Sequence, residues 1–290
     1  MICTLCPRCC GAERTETKAG GVCHMPALPV VAKAMLHQWE EPCLVGQHGA
    51  GCVFFSGCNL RCRFCQNGVI SQEGFGKPID ATRLRQIFRE LIDRGAACLD
   101  LVTPTHFTPV ILEALGDEPW PVPVVWNCGG YEKVETLKTL EGKVQVYLPD
   151  LKYGLEGPGA KYSGAADYHL RAREAILEMY RQTGPYRMEG DRLVRGVLIR
   201  HLILPGELDN TRAVIDWVAE TFQPGQVLFS LMSQYTPQPG ATGNLARHIT
   251  KGEYRAASEY MANCGIVDGF TQERTSAKEE YTPNFDLSGV

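Results

Sequence analysis

Cys58-Asn-Leu-Arg-Cys62-Arg-Phe-Cys65 places three cysteines in the spacing C-x3-C-x2-C, at the end of the apolar run Cys52 to Ser56. That spacing holds three thiolates on one tight loop. Three thiolates can bind three irons of a four-iron, four-sulfur cluster, which leaves the fourth iron without a protein ligand and open to a small molecule. The competing reading is a zinc knuckle. Structural zinc, however, takes four protein ligands in a closed tetrahedral site, and a C-x2-C pair normally meets a second pair. No fourth ligand follows at knuckle spacing.

Composition narrows the class. A chain of 290 residues can form one large α/β domain or two small ones. The net charge is −4 and no dense Lys/Arg stripe occurs, so the footprint of a general nucleic-acid binder is missing. The opening Met-Ile-Cys-Thr-Leu-Cys lacks the charged and apolar regions of a signal peptide, and no run of eighteen apolar residues occurs, so the expectation is a cytoplasmic protein with no membrane span. In that compartment the 13 cysteines argue for metal ligands rather than disulfides. They cluster at Cys3 to Cys23 and at Cys58 to Cys65, while Cys43, Cys52, Cys98, Cys128 and Cys264 are scattered and read as small buried hydrophobes.

Residues 1–33 are rich in Gly and Cys and lack apolar periodicity, so a metal would serve as their staple. Cys3, Cys6, Cys10 and Cys23 are the expected ligands of this second site, for zinc or a second iron-sulfur cluster, with Cys9 and His24 as competitors. Residues 34–51 read as a connector, and Glu40-Glu41 before Pro42 as a solvated turn without chemistry.

From the cysteine loop onward, strand and helix alternate. Asp80 caps a helix with apolar positions Leu84, Ile87, Phe88, Leu91 and Ile92, ended by Gly95. Strands follow at Cys98 to Thr103, Val122 to Asn127, Val144 to Leu148, within Leu193 to Leu204, and at Val227 to Met232, with helices between them and a short last strand at Ile266 to Phe270. This rhythm predicts a parallel sheet with helices packed outside it, a partial barrel of six strand-helix units over residues 34–270, followed by a polar tail at 271–290. In such folds the chemistry collects at the C-terminal strand ends. Those ends hold Cys58, Cys62 and Cys65, then Thr103-Pro-Thr105-His106, Asn127, Asp150-Leu-Lys152 and Arg200-His201.

With Phe64 before its last cysteine and a strand before its first, the motif resembles the signature of radical S-adenosylmethionine (SAM) enzymes. The resemblance implies the six-unit partial TIM-like barrel as the radical SAM core. It also implies SAM chelated by the open iron of a [4Fe-4S] cluster, and a 5′-deoxyadenosyl radical that abstracts hydrogen from a substrate. The opening C-x2-C-P-x2-C-G, Tyr147-Leu-Pro-Asp150-Leu-Lys152-Tyr and Arg200-His-Leu-Ile-Leu-Pro-Gly206 look like the branch similar to pyruvate formate-lyase activating enzyme, over Cys3 to about Gly265. That branch implies SAM contacts by Asp150 and Lys152, with Phe64, Asn127 and Arg200 on the same rim. It further implies a reductant such as flavodoxin or ferredoxin and a glycyl-radical protein as substrate. One departure stands out. Thr103-Pro-Thr105-His106 occupies the place of a Gly-Gly-Glu that receives the SAM amino group, so the Thr103 and Thr105 oxygens are the replacement candidates. The alternative class is a non-enzymatic electron-transfer or zinc-stabilised binding protein, in which both cysteine groups are structural.

Overall fold

Ten strands form one sheet in the computed structural model, which describes residues 2–271 and 283–290. The strands are β1 (Val30–His37), β2 (Ala50–Phe55), β3 (Lys77–Pro78), β4 (Leu99–Val102), β5 (Val124–Cys128), β6 (Val146–Pro149), β7 (Arg187–Glu189), β8 (Arg192–Leu202), β9 (Leu228–Met232) and β10 (Gly269–Thr271). Their spatial order is β10-β9-β8-β6-β5-β4-β2-β1-β3, with β7 paired to β8. From β2 to β10 every neighbouring pair on this path is parallel. Sequential parallel strands joined by helices form the partial barrel that the alternation predicts.

The two faces of the sheet bury different residues because side chains alternate along a strand. Val53, Phe55, Leu101, Trp126 and Tyr147 face the helices and join the larger core. Cys52, Phe54, Val125, Val146 and Leu148 belong to a second core on the opposite face. Asp80 caps helix Ala81–Asp93, its carboxylate accepting from Arg83 N at 2.7 Å. Thr250 and Glu253 close a capping box on helix Lys251–Asn263.

Three expectations need correction. Residues 34–51 are not simply a connector: β1 begins at Val30 and lies antiparallel on β2, so it also crosses the boundary drawn at residue 33. Glu40-Glu41 is not a solvated turn, because Glu41 is buried and Glu40 turns into the sheet's polar interior. Cys43, Cys52, Cys98 and Cys128 are buried as expected, but Cys264 is only partly so. Of the tail, residues 272–282 lie outside the described residues. Residues 283–290 dock on β1: Ala34 N donates to Ser288 O, Leu287 N donates to Ala32 O, and Phe285 meets Phe54 edge-on. No described helix is long and apolar enough to cross a membrane.

Candidate active site

The Cys58–Cys65 loop leaves the end of β2 and is held by backbone and side-chain bonds from four directions. Asn59 Nδ2 donates to Tyr131 O at 2.7 Å, Gln72 Nε2 to Cys62 O at 2.9 Å, Arg63 N to Tyr162 O at 2.9 Å, and Arg8 Nε to Asn59 O at 2.9 Å. Arg61, inside the loop, takes a left-handed φ of 50°, which is costly for a residue with a Cβ and persists where the surroundings fix it. Phe64 packs edge-on against Tyr153, Tyr162 and Tyr235, and so forms an aromatic wall beside the thiols.

Cys58, Cys62 and Cys65 all line one cavity of about 410 Å³. Phe64, Thr103, Asn127, Asp150, Lys152 and Arg200 line the same cavity. Thr105 does not: it is buried, and its hydroxyl donates to Glu132 Oε1 at 2.7 Å. His106 is likewise buried, with Nε2 2.7 Å from Ser56 O, and burial lowers its pKa to about 3. It is a packing residue.

Beyond the thiols the cavity is charged. Arg200 Nε meets Asp150 Oδ1 at 2.9 Å, Nη1 meets Glu40 Oε1 at 3.0 Å, and Nη2 donates to Asn127 Oδ1 at 2.6 Å. Lys152 Nζ donates to the other Asp150 oxygen. Burial works against the Asp150 charge, but Arg200 and Lys152 outweigh it and hold the carboxyl below the usual range. Burial also opposes the Lys152 charge, yet Asp150 and the Cys62 and Cys65 sulfurs keep its pKa above the ordinary value.

Sequence reasoning missed Glu40, Glu41 and Asp100. Asn127 Nδ2 donates to Glu40 Oε2 and to Asp100 Oδ2, each at 3.2 Å, and Cys52 Sγ donates to Asp100 Oδ2 at 3.3 Å. Burial, reinforced by Glu40, pushes the Asp100 carboxyl well up. Burial also pushes Glu41 to about 7 against the pull of Arg200. Glu40, Cys52 and Asp100 each bring a donor atom within 4.8 Å of the others, among the described residues the one such group of three. Arg200 and Asn127 already supply that group with positive and hydrogen-bonding partners, so its geometry is accounted for without a metal ion.

Burial, and then the neighbouring Cys62, push the Cys58 thiol up to about 12 and the Cys65 thiol in the same direction. Desolvated thiols this close need a cationic centre to become thiolates. In the N-terminal segment Cys3, Cys6 and Cys23 are buried, Cys10 acts electrostatically on Cys23, and a Cβ at Gly21 would lie 2.7 Å from Cys10 Sγ. Cys10 is exposed, as is Cys9, whose Sγ lies beside Cys6 O.

Fold and rim together define an α/β partial-barrel protein whose three-thiol loop opens into a charged cavity. Residues 46–113, which include that loop, match the family model of a 4Fe-4S single cluster domain. The chain belongs to the family of the uncharacterized protein MJ0674 of Methanocaldococcus jannaschii, to which it is 30% identical over 270 residues, 89% of this chain and 73% of that one. Among solved structures it is similar to Streptococcus suis SuiB, with 12% identity over 75% of this chain and a TM-score of 0.49. SuiB bound to S-adenosylmethionine gives 13% identity over 77% of this chain, again at 0.49. The chain spans about half the length of SuiB, 47% and 50% in the two structures.

Proposed function

We propose that this chain is a radical SAM enzyme, with Cys58, Cys62 and Cys65 holding a [4Fe-4S] cluster and SAM occupying the cavity they open on. The observation that carries this reading is the shared cavity. Three thiols, a lysine-aspartate pair, an arginine and an asparagine converge on one space of about 410 Å³, whereas a purely structural cluster needs no such rim. When bound, the cluster supplies a reducible iron without a protein ligand, the chemistry of reductive SAM cleavage.

The chain's own residues bind, orient and exclude water. Lys152, held by Asp150 and close to the loop sulfurs, presents an ammonium suited to the SAM carboxylate. Asn67 lines the cavity, and its buried Oδ1 has no partner, so it offers an open acceptor for the SAM amino group in place of the absent Gly-Gly-Glu. Asn127 and Arg200 form the polar floor, while Phe64 and Tyr235 give the apolar wall a purine or ribose can pack on. The resemblance to activating enzymes extends the reading to a backbone glycine of a partner protein as the hydrogen donor, and to flavodoxin or ferredoxin as reductant. Exposed Trp39 at the cavity mouth suits a protein substrate better than a fully enclosed metabolite.

The test is anaerobic reconstitution with iron and sulfide, reduction with dithionite, addition of SAM and assay for 5′-deoxyadenosine, on wild type and Cys62→Ala. Wild type forms deoxyadenosine and Cys62→Ala does not. Full cleavage by the variant, or a loaded wild-type cluster that fails to bind SAM, refutes the proposal.

A further inference from the structure

The three loop sulfurs accept hydrogen bonds of distinct origin. Leu60 N, within the loop, donates to Cys58 Sγ at 3.4 Å, and Ser71 Oγ, six residues past the loop, donates to Cys65 Sγ at 3.3 Å. Cys62 Sγ has two hydroxyl neighbours: Ser163 Oγ, 101 residues away, donates to it at 3.0 Å, and Tyr153 OH lies farther off at 3.9 Å. Ser163 is the last residue of helix Glu156–Ser163 and is buried.

Its hydroxyl has one proton, and that proton points to sulfur. Tyr153 OH lies 2.7 Å from Ser163 Oγ, much closer than its 3.9 Å to Cys62 Sγ, so the phenol gives its single proton to the serine oxygen, and a serine that has given its own hydrogen to Cys62 accepts it. Tyr153 thereby polarises the Ser163 hydroxyl toward the thiolate, a chain of bonds that strengthens each member in a water-poor site. Main-chain anchors fix both ends. Arg8 Nη2 donates to Ser163 O at 2.7 Å, Nη1 donates to Gly164 O, and Nε donates to Asn59 O in the cysteine loop at 2.9 Å, with the guanidinium over the Tyr131 ring. One arginine of the N-terminal segment therefore holds the donor's helix and the acceptor's loop in register.

We infer that Ser163 is a positioning residue that raises the reduction potential of the cluster at Cys58, Cys62 and Cys65 through its hydrogen bond to Cys62. The inference rests on the cluster reading above. Reduction adds negative charge that spreads onto the ligand sulfurs, and a buried donor stabilises the reduced state more than the oxidised one. Losing the donor makes the cluster harder to reduce.

The experiment is an EPR-monitored redox titration of the anaerobically reconstituted full chain, with iron counted per chain, on wild type, Ser163→Ala and Ser163→Thr. Ser163→Ala should keep its iron and shift the reduction equilibrium about tenfold toward the oxidised state, about 59 mV for a one-electron couple. Ser163→Thr keeps the hydroxyl and should restore most of the shift. A Ser163→Ala potential equal to wild type, with iron content unchanged, overturns the inference and leaves the cluster reading standing. If Ser163→Ala loses its iron, Tyr153→Phe decides: it retains the Ser163 hydroxyl and should lower the potential by less than tenfold, and no change overturns the inference. A wild-type chain that takes up no cluster overturns both readings.

Discussion

Replacing Arg200 by Met tests whether the cavity floor is a closed electrostatic unit. The guanidinium is bonded to Glu40, Asp150 and Asn127, and the side chains of Arg200, Glu40 and Asp150 are only 12%, 13% and 20% exposed. Asp150 keeps Lys152 after the substitution, so Glu40 is the carboxylate left without a cation. Removing one partner of a buried ion pair costs about 3–5 kcal/mol, because the other charge stays desolvated. For 290 residues, a melting entropy of roughly 2.1 cal/mol/K per residue turns that into a fall in Tm of about 5–8 °C. Anaerobic differential scanning calorimetry of the reconstituted protein reads it directly. Glu40→Gln in the same chain removes the stranded charge, so the double variant should recover part of the loss, with a coupling of about 0.5–3 kcal/mol. A fall below 2 °C, or strictly additive effects of the two substitutions, would refute the reasoning.

Lys152→Ala should weaken SAM binding about ten- to a hundredfold, the worth of one charge-assisted bond, with iron content unchanged; equilibrium binding alongside iron analysis checks it, and loss of iron would make Lys152 a structural residue. Glu41→Gln tests a pH effect with a definite sign. Burial raises the native Glu41 pKa from 4.5 to about 7, so between these values the native state holds a proton that the unfolded chain has released, and stability falls as pH rises through that window. The glutamine variant should lose this slope and gain stability relative to wild type between pH 5 and pH 8, read as Tm at each pH; identical slopes in the two proteins would show that Glu41 does not titrate there.

Much of the fold was readable because its parallel strands carry local signals. The helix after Asp80 combines apolar periodicity with a cap, the helix at Thr108–Leu115 combines it with a first-turn proline, and the strand at Leu99–Val102 lies in a short apolar run. The failures have one local cause and one distant one. Helix Glu156–Ser163 contains Gly157-Pro158-Gly159, the weakest helix formers, and it is stabilised instead by packing of Tyr162 and Gly159 against the core. Strand β1 reads Val-Val-Ala-Lys-Ala-Met-Leu-His, and the boundary drawn at residue 33 split it between the Cys-rich opening and a connector. Lys33 is buried beneath the C-terminal residues, its ammonium on Asn284 O and Asp286. That partner lies some 250 residues away, and no local window contains it.

The site divides along the same line. That Cys58, Cys62 and Cys65 come together was legible because they crowd one loop, and that Asp150 and Lys152 line the same cavity because they follow one strand. Glu40 was not, because its meaning depends on Arg200, 160 residues away, and on Asn127 in a third element. Seen alone, two acids before a proline are a turn. Once the sheet brings β5, β8 and the turn after β1 together, two cations, Arg200 and Lys152, face four carboxylates: Glu40, Glu41, Asp100 and Asp150. The two with raised pKa, Glu41 and Asp100, are those that bond neither Arg200 nor Lys152 directly. Burial raises these two because no cation bonds them, while Arg200 and Lys152 hold the Asp150 carboxyl low, so direct contact with a cation decides which carboxylates of the cavity floor keep their charge most readily.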